Sequence, residues 1–139
     1  MELLVVLVIA AVLLGVSLPA TQRIYDSMQQ RQLVRDVVRT FAAARHEAMY
    51  LGTSQDVVFD NDQRTLLYRD KRMRVPADVR IAFSGAAELG SQSRSVVRFY
   101  PEGGASGGDI DVSLAGGSGY RISVDWLLGG VTVEPRVYD

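Results

Sequence analysis

Cysteine is absent from the 139 residues. Disulfide frameworks, cysteine-based zinc sites and thiol nucleophiles are excluded together. Histidine occurs once, at His46. Net charge is also lacking: fifteen Lys and Arg against sixteen Asp and Glu leave −1, so no global field draws the chain toward nucleic acid or anionic lipid. There is no internal repeat and no low-complexity tract, and the glycine clusters are too brief to be linkers. The length fits one domain. Such a domain buries roughly two thirds of its unfolded surface, so neither a disulfide nor a metal is required for folding.

What the first eighteen residues lack is charge; they carry one, Glu2. The run Leu3, Leu4, Val5, Val6, Leu7, Val8, Ile9, Ala10, Ala11, Val12, Leu13, Leu14, Gly15, Val16, Ser17 and Leu18 contains one serine and no ionisable side chain. At 1.5 Å per residue it spans about 24 Å, somewhat less than a hydrocarbon core of about 30 Å. A secretory signal would begin with basic residues, whereas this segment begins Met1-Glu2. A soluble core helix would show a polar face, and none is present. The run is therefore expected to span a membrane.

Pro19 then interrupts the run, removes one backbone donor and is expected to kink or loosen a helix. Beyond it, Ile24, Met28, Val34, Val37, Val38, Phe41, Ala44, Ala48 and Met49 recur at three- and four-residue steps, which predicts one buried helical face. Gly52 is the expected stop. After Gly52 the period becomes two. Strands are expected at 56–60, 65–69, 73–75, 79–84, 95–100, 109–114, 120–126 and 131–134. Turn residues separate them at Asp60-Asn61-Asp62, Ser84-Gly85, Gly103-Gly104, Gly107-Gly108, Gly116-Gly117 and Gly129-Gly130. Short strands with short turns imply antiparallel sheets. The predicted fold is α+β. A long N-terminal helix, transmembrane over 1–20 and amphipathic over 21–52, packs on an antiparallel β-rich head of about eight short strands, 53–139.

Three segments carry a resemblance. Met1-Glu2-Leu3-Leu4-Val5-Val6-Leu7-Val8-Ile9-Ala10 is similar to the mature start of type IV pilins and type II secretion pseudopilins, with Pro19 at a spacing common among them. Val97-Arg98-Phe99-Tyr100-Pro101-Glu102-Gly103-Gly104-Ala105-Ser106-Gly107-Gly108-Asp109-Ile110 resembles an F-x-P-x-G-x-S-x-G-G-x-I hairpin. Ile122-Ser123-Val124-Asp125-Trp126-Leu127-Leu128-Gly129-Gly130-Val131 resembles a closing V-x-W-L-x-G-x-V hairpin. Together they resemble the H-type minor pseudopilins of the type II secretion system (GspH/FimT-like, within the type IV pilin superfamily). The resemblance is weakest over 69–95. It implies a precursor continuing upstream as Gly-Phe-Thr-Leu-Met-Glu, with Met1 internal, which would lengthen the apolar run to about twenty residues, enough to span.

The same resemblance implies a single-pass bacterial inner-membrane protein with its head in the periplasm. A prepilin peptidase would remove the leader and methylate the new N-terminus. The subunit would then join other minor and major pseudopilins near a filament tip, with secretin and exoprotein as further partners. Glu2 would set recruitment and register by pairing with a neighbouring subunit's N-terminal amine. Its rarity has a physical reason: a carboxylate near the membrane centre costs about 2.5–3.5 kcal/mol. A minor pilin of a type IV pilus, serving priming or DNA uptake, is the rival reading.

No catalytic, cofactor-binding or metal-ligating set stands out, and the chain reads as a non-enzyme. His46, between Arg45 and Glu47, is expected to be a surface or packing residue, since catalysis would require partners around it. Asp60-Asn61-Asp62 lacks the later ligands and closing glutamate of a calcium loop and reads as a hairpin turn. Asp109 and Asp111 share a strand face, read as solvated. Gly103–Gly108 has no Lys-Ser/Thr after it and is a poor phosphate cradle. Trp126, with Leu127 and Leu128, is expected to be a core anchor rather than an exposed docking patch.

The cluster Arg69-Lys71-Arg72-Arg74 could contact phosphates. It also contains Asp70 and sits between strands, where charge blunts an exposed sheet edge, and that edge or partner-contact reading is preferred. The C-terminal hairpin, ending Glu134-Pro135-Arg136, lacks the basic pattern of DNA-uptake relatives. No nucleic acid partner is expected. A salt titration with duplex and single-stranded DNA should therefore show no sub-micromolar binding at physiological salt. Tight binding lost on changing Arg72 and Arg74 would favour the pilus reading.

Overall fold

The computed structural model describes residues 2–84, 93–114 and 117–138, with the side chains of 16–24, 26–27 and 114 outside that description. Gly85 and Gly116, each half of a predicted turn, fall outside the described residues. Among the described residues, one helix, α1 (Glu2–Leu51), precedes eight strands. The chain divides into two compact units, Met1–Gln32 and Leu33–Asp139.

The first unit is helical. Its described side chains from Glu2 to Gly15 are exposed. α1 includes Pro19 within its helical run, so the missing N–H there does not end the helix. Among the described residues, no helix is long and apolar enough to cross a membrane.

The second unit holds the core. On α1, Leu33, Val34, Val37, Phe41, Ala44 and Ala48 are buried. Their three- and four-residue spacing is what one helical face requires. Val38 packs at the margin of the core. Met28 and Met49, expected on the buried face, are exposed, while Leu33, not expected there, is buried. The side chain of Ile24 lies outside the described residues. Gly52 adopts a φ of 66° immediately after the helix, the left-handed conformation that ends helices and costs glycine little.

The strands are β1 (Gln55–Asp60), β2 (Thr65–Tyr68), β3 (Lys71–Arg74), β4 (Val79–Ser84), β5 (Arg94–Phe99), β6 (Gly108–Leu114), β7 (Ser118–Val124) and β8 (Val131–Val137). They form two four-stranded sheets, ordered β3-β2-β1-β5 and β4-β6-β7-β8, and every pairing is antiparallel. All eight predicted strands are present. β7 stops at Val124 instead of Trp126. β8 runs three residues beyond the expected Glu134, to Val137, because Pro135 sits on an edge strand, where proline is tolerated.

Aromatic residues join the layers. The Phe41 and Phe99 rings, 5.7 Å apart and inclined at 52°, join α1 to the first sheet. Phe59 and Phe83, 4.9 Å apart, join the two sheets. Each such contact contributes about 0.5–1.5 kcal/mol beyond simple burial.

A chain beginning at Gln29 should be soluble and melt cooperatively, and Phe41→Ala in it should cost about 3–5 kcal/mol by chemical denaturation. Aggregation without an unfolding transition would show that the head is not autonomous.

Candidate interaction surface

The turn between β7 and β8 is built by Asp125. Its carboxylate Oδ1 accepts the backbone N–H of Leu127 at 2.9 Å and of Leu128 at 2.7 Å. Gly129 N–H donates to the Asp125 carbonyl at 2.9 Å, and Asp125 N–H donates to the Gly130 carbonyl at 2.8 Å. A short acidic side chain folded back on its own backbone fixes such a turn. Three consecutive large apolar residues are thereby held at its apex.

Trp126, Leu127 and Leu128 are 68%, 62% and 67% exposed, which corrects the expectation of a core tryptophan. The reason lies in the backbone: it is the main chain of the turn, not its side chains, that packs inward. The Trp126 carbonyl accepts the Ala105 N–H at 3.0 Å. A Cβ on Gly104 would meet the Trp126 carbonyl oxygen at 2.9 Å, so only glycine permits this approach. The two hairpin segments noted in the sequence are therefore one structural object, with the 103–108 glycines seating the 125–130 turn. α1 ties in as well, since Arg45 Nε donates to the Gly103 carbonyl at 3.1 Å.

Bidentate ion pairs brace both sheets. Arg98 holds Asp56 across β5 and β1, with N–O distances of 2.6 and 2.7 Å. Arg121 holds Asp111 across β7 and β6 at 2.7 and 2.9 Å, and the Tyr138 hydroxyl donates to the same carboxylate at 2.7 Å. The hydrogen bond from Arg121 lowers the Asp111 carboxyl below the usual carboxylate range. Asp111 is thus a half-buried partner rather than a solvated one. Glu47 on α1 accepts from the Tyr68 hydroxyl and from Arg69 at 2.7 Å. Partial burial, aided by Glu47, pushes the Tyr68 phenol up to about 12.

The remaining predicted positions separate. His46 is exposed and stacks on the Tyr50 ring at 6.3 Å, as surface packing predicts. The Asp60 carboxylate accepts the Gln63 N–H at 2.9 Å and so shapes the β1–β2 turn. Among the described residues, no group of three or more His, Cys, Asp or Glu is placed to hold a metal. β3, with Lys71, Arg72 and Arg74, is the outermost strand of the first sheet, as the edge reading of the basic cluster requires. Glu2 lies in the first turn of α1, apart in sequence from every head feature. The sequence reading missed Asp125 and Arg45. The Asp-x-Leu-Leu-Gly spacing carries a signal for the former, but nothing local marks the latter.

The described residues thus form an N-terminal helix with an apolar exposed start and a head of two antiparallel four-stranded sheets. The sequence model of the family described as Type II transport protein GspH matches residues 33–129, and the chain belongs to that family. The fold is similar to that of the minor pseudopilin EpsH from the Type 2 Secretion System of Vibrio cholerae. The TM-score is 0.56 at 16% identity, covering 76% of this chain and 95% of that one. No curated protein sequence matches the chain.

The turn geometry yields a contrast. Trp126→Ala removes only the exposed ring beyond Cβ and should change stability by no more than about 0.5 kcal/mol. Asp125→Ala removes the cap and should cost about 1 kcal/mol. Thermal melts of the two variants test the assignment; a large loss for Trp126→Ala would restore the tryptophan to the core.

Proposed function

We propose that this GspH-family chain works as a minor pseudopilin: a structural subunit that joins other pseudopilins near the tip of a periplasmic pseudopilus and catalyses no reaction. The observation that carries this reading is the pairing of a GspH-type head with a helical start whose side chains Leu3 to Leu14 are exposed and apolar behind a single carboxylate, Glu2. Side chains of that kind stay in water only at a free-energy cost of about 25 cal/mol per Å². Lipid or neighbouring helices offset it.

The same proposal places Leu3–Leu18 first in the inner membrane, supported by the absence of charge along the run. The head then lies in the periplasm, and a prepilin peptidase processes and methylates the N-terminus. Filament growth draws the helix out of lipid into a bundle, and a loosened helix at Pro19 assists that passage. The filament in turn acts on folded exoprotein at an outer-membrane secretin.

Within the bundle, Glu2 pairs with the N-terminal amine of an adjacent subunit. Opposite charges in a low-dielectric bundle attract steeply with distance. A single axial register is therefore favoured over its neighbours. The carboxylate serves assembly and not the stability of the isolated subunit.

Glu2→Leu should leave membrane insertion and head folding intact. It should weaken association with the neighbouring pseudopilin by about 2 kcal/mol or more. Crosslinking between pseudopilins in cells, measured beside exoprotein in the medium, tests both parts on protein carrying its natural leader. If neither crosslinks nor secretion fall, Glu2 has no role in assembly.

A further inference from the structure

The outer edge of the first sheet is open and basic. Val75 N–H donates to the Arg64 carbonyl at 2.9 Å, and Arg74 lies opposite Thr65, Arg72 opposite Leu67. Backbone groups of an antiparallel strand alternate in direction. The N–H and C=O groups of Lys71, Met73 and Val75 therefore face β2, and those of Arg72 and Arg74 face outward. Among the described residues, no strand pairs with that outer side.

Two hollows flank this edge. One, of about 620 Å³, lies between α1 and β2–β3; Arg39, Lys71, Arg72 and Arg74 line it against a single acid, Asp36. Arg39 itself lies 3.8 Å from Asp36. The other, of about 830 Å³, lies beside the β1–β2 turn, with Arg64, Arg72 and Arg74 against Asp62. Each hollow thus keeps an excess of cationic side chains.

We propose that β3 receives an extended acidic segment of another polypeptide as an added strand. Its backbone would pair with the outward groups of Arg72 and Arg74, while its alternate side chains enter the two hollows. Strand addition draws affinity from main-chain hydrogen bonds and specificity from alternating pockets. A strand presents side chains to opposite faces with a period of two, and here both receiving faces are cationic. A polyanion held by charge alone would use the cations but not the outward backbone groups. The outward N–H of Arg72 and Arg74, lying in register between the two hollows, favours a polypeptide over a nucleic acid. The proposal is independent of Glu2 and of the role of α1 in lipid.

The test uses the full chain in non-ionic detergent and a fluorescent octapeptide of alternating Glu and Thr. Anisotropy should report binding that weakens at least tenfold in the Arg72→Glu/Arg74→Glu double variant. Methylating alternate backbone nitrogens of the peptide should abolish binding at unchanged charge. Arg74→Pro should abolish it too while leaving the melting temperature unchanged, because that N–H points away from β2. Three results would each overturn the proposal: no binding of the acidic peptide, equal binding of the N-methylated peptide, or tighter binding of single-stranded DNA of matched charge.

Discussion

Packing of one helical face against the first sheet is the constraint from which the rest of the head follows. Phe41, Ala44 and Ala48 are fully buried. The two alanines allow the helix to approach the sheet closely, while Phe41 fills the space against Phe99. That approach brings Arg45 to the Gly103 carbonyl, which fixes the glycine segment and, through it, the turn that presents Trp126. A loss at Phe41 would therefore be felt at an exposed residue far away in sequence. Close-packed interiors transmit such displacements because they have few voids in which to absorb them.

Much of this was legible in the sequence because burial leaves a period. The helical steps from Val34 to Ala48 and the period-two strands after Gly52 announced both the elements and the change between them. Gly52 marked their junction. The eight strands came out with edges displaced by a few residues at most, since glycine and aspartate mark turns by chemistry rather than by composition. The two hairpin motifs and the apolar start, read as resemblance, led to the family that the match over 33–129 then established.

What stayed hidden was whatever depends on the backbone meeting itself across the fold. Trp126 was misplaced because size and hydrophobicity argue for burial, whereas the Asp125 cap turns its main chain inward and its ring outward. Alternation along β6 reveals the face of Asp111 and so suggests solvation, but it does not reveal Arg121 and Tyr138 opposite it. Cross-strand partners depend on register, and register is not written in either strand alone. Arg45 posed the same difficulty from a helix: nothing in its neighbours distinguishes it from Arg39, which stays on the surface.

The two sheets differ in how their outer strands end. β8 pairs with β7 through Asp125 N–H and the Gly130 carbonyl at 2.8 Å, and that register sets Pro135 opposite Tyr120. By alternation this is a position whose nitrogen faces away from β7. A pyrrolidine ring stands there instead of an N–H. The second sheet thus terminates sterically along β8, while the first ends at β3 in charge alone. A head with such unequal margins resists stacking β8 to β3 into an unlimited ribbon, because Pro135 breaks the row of outward donors along β8. At the middle of β8 an added strand would meet a ring instead of a donor, so that edge is less suited to strand pairing than β3.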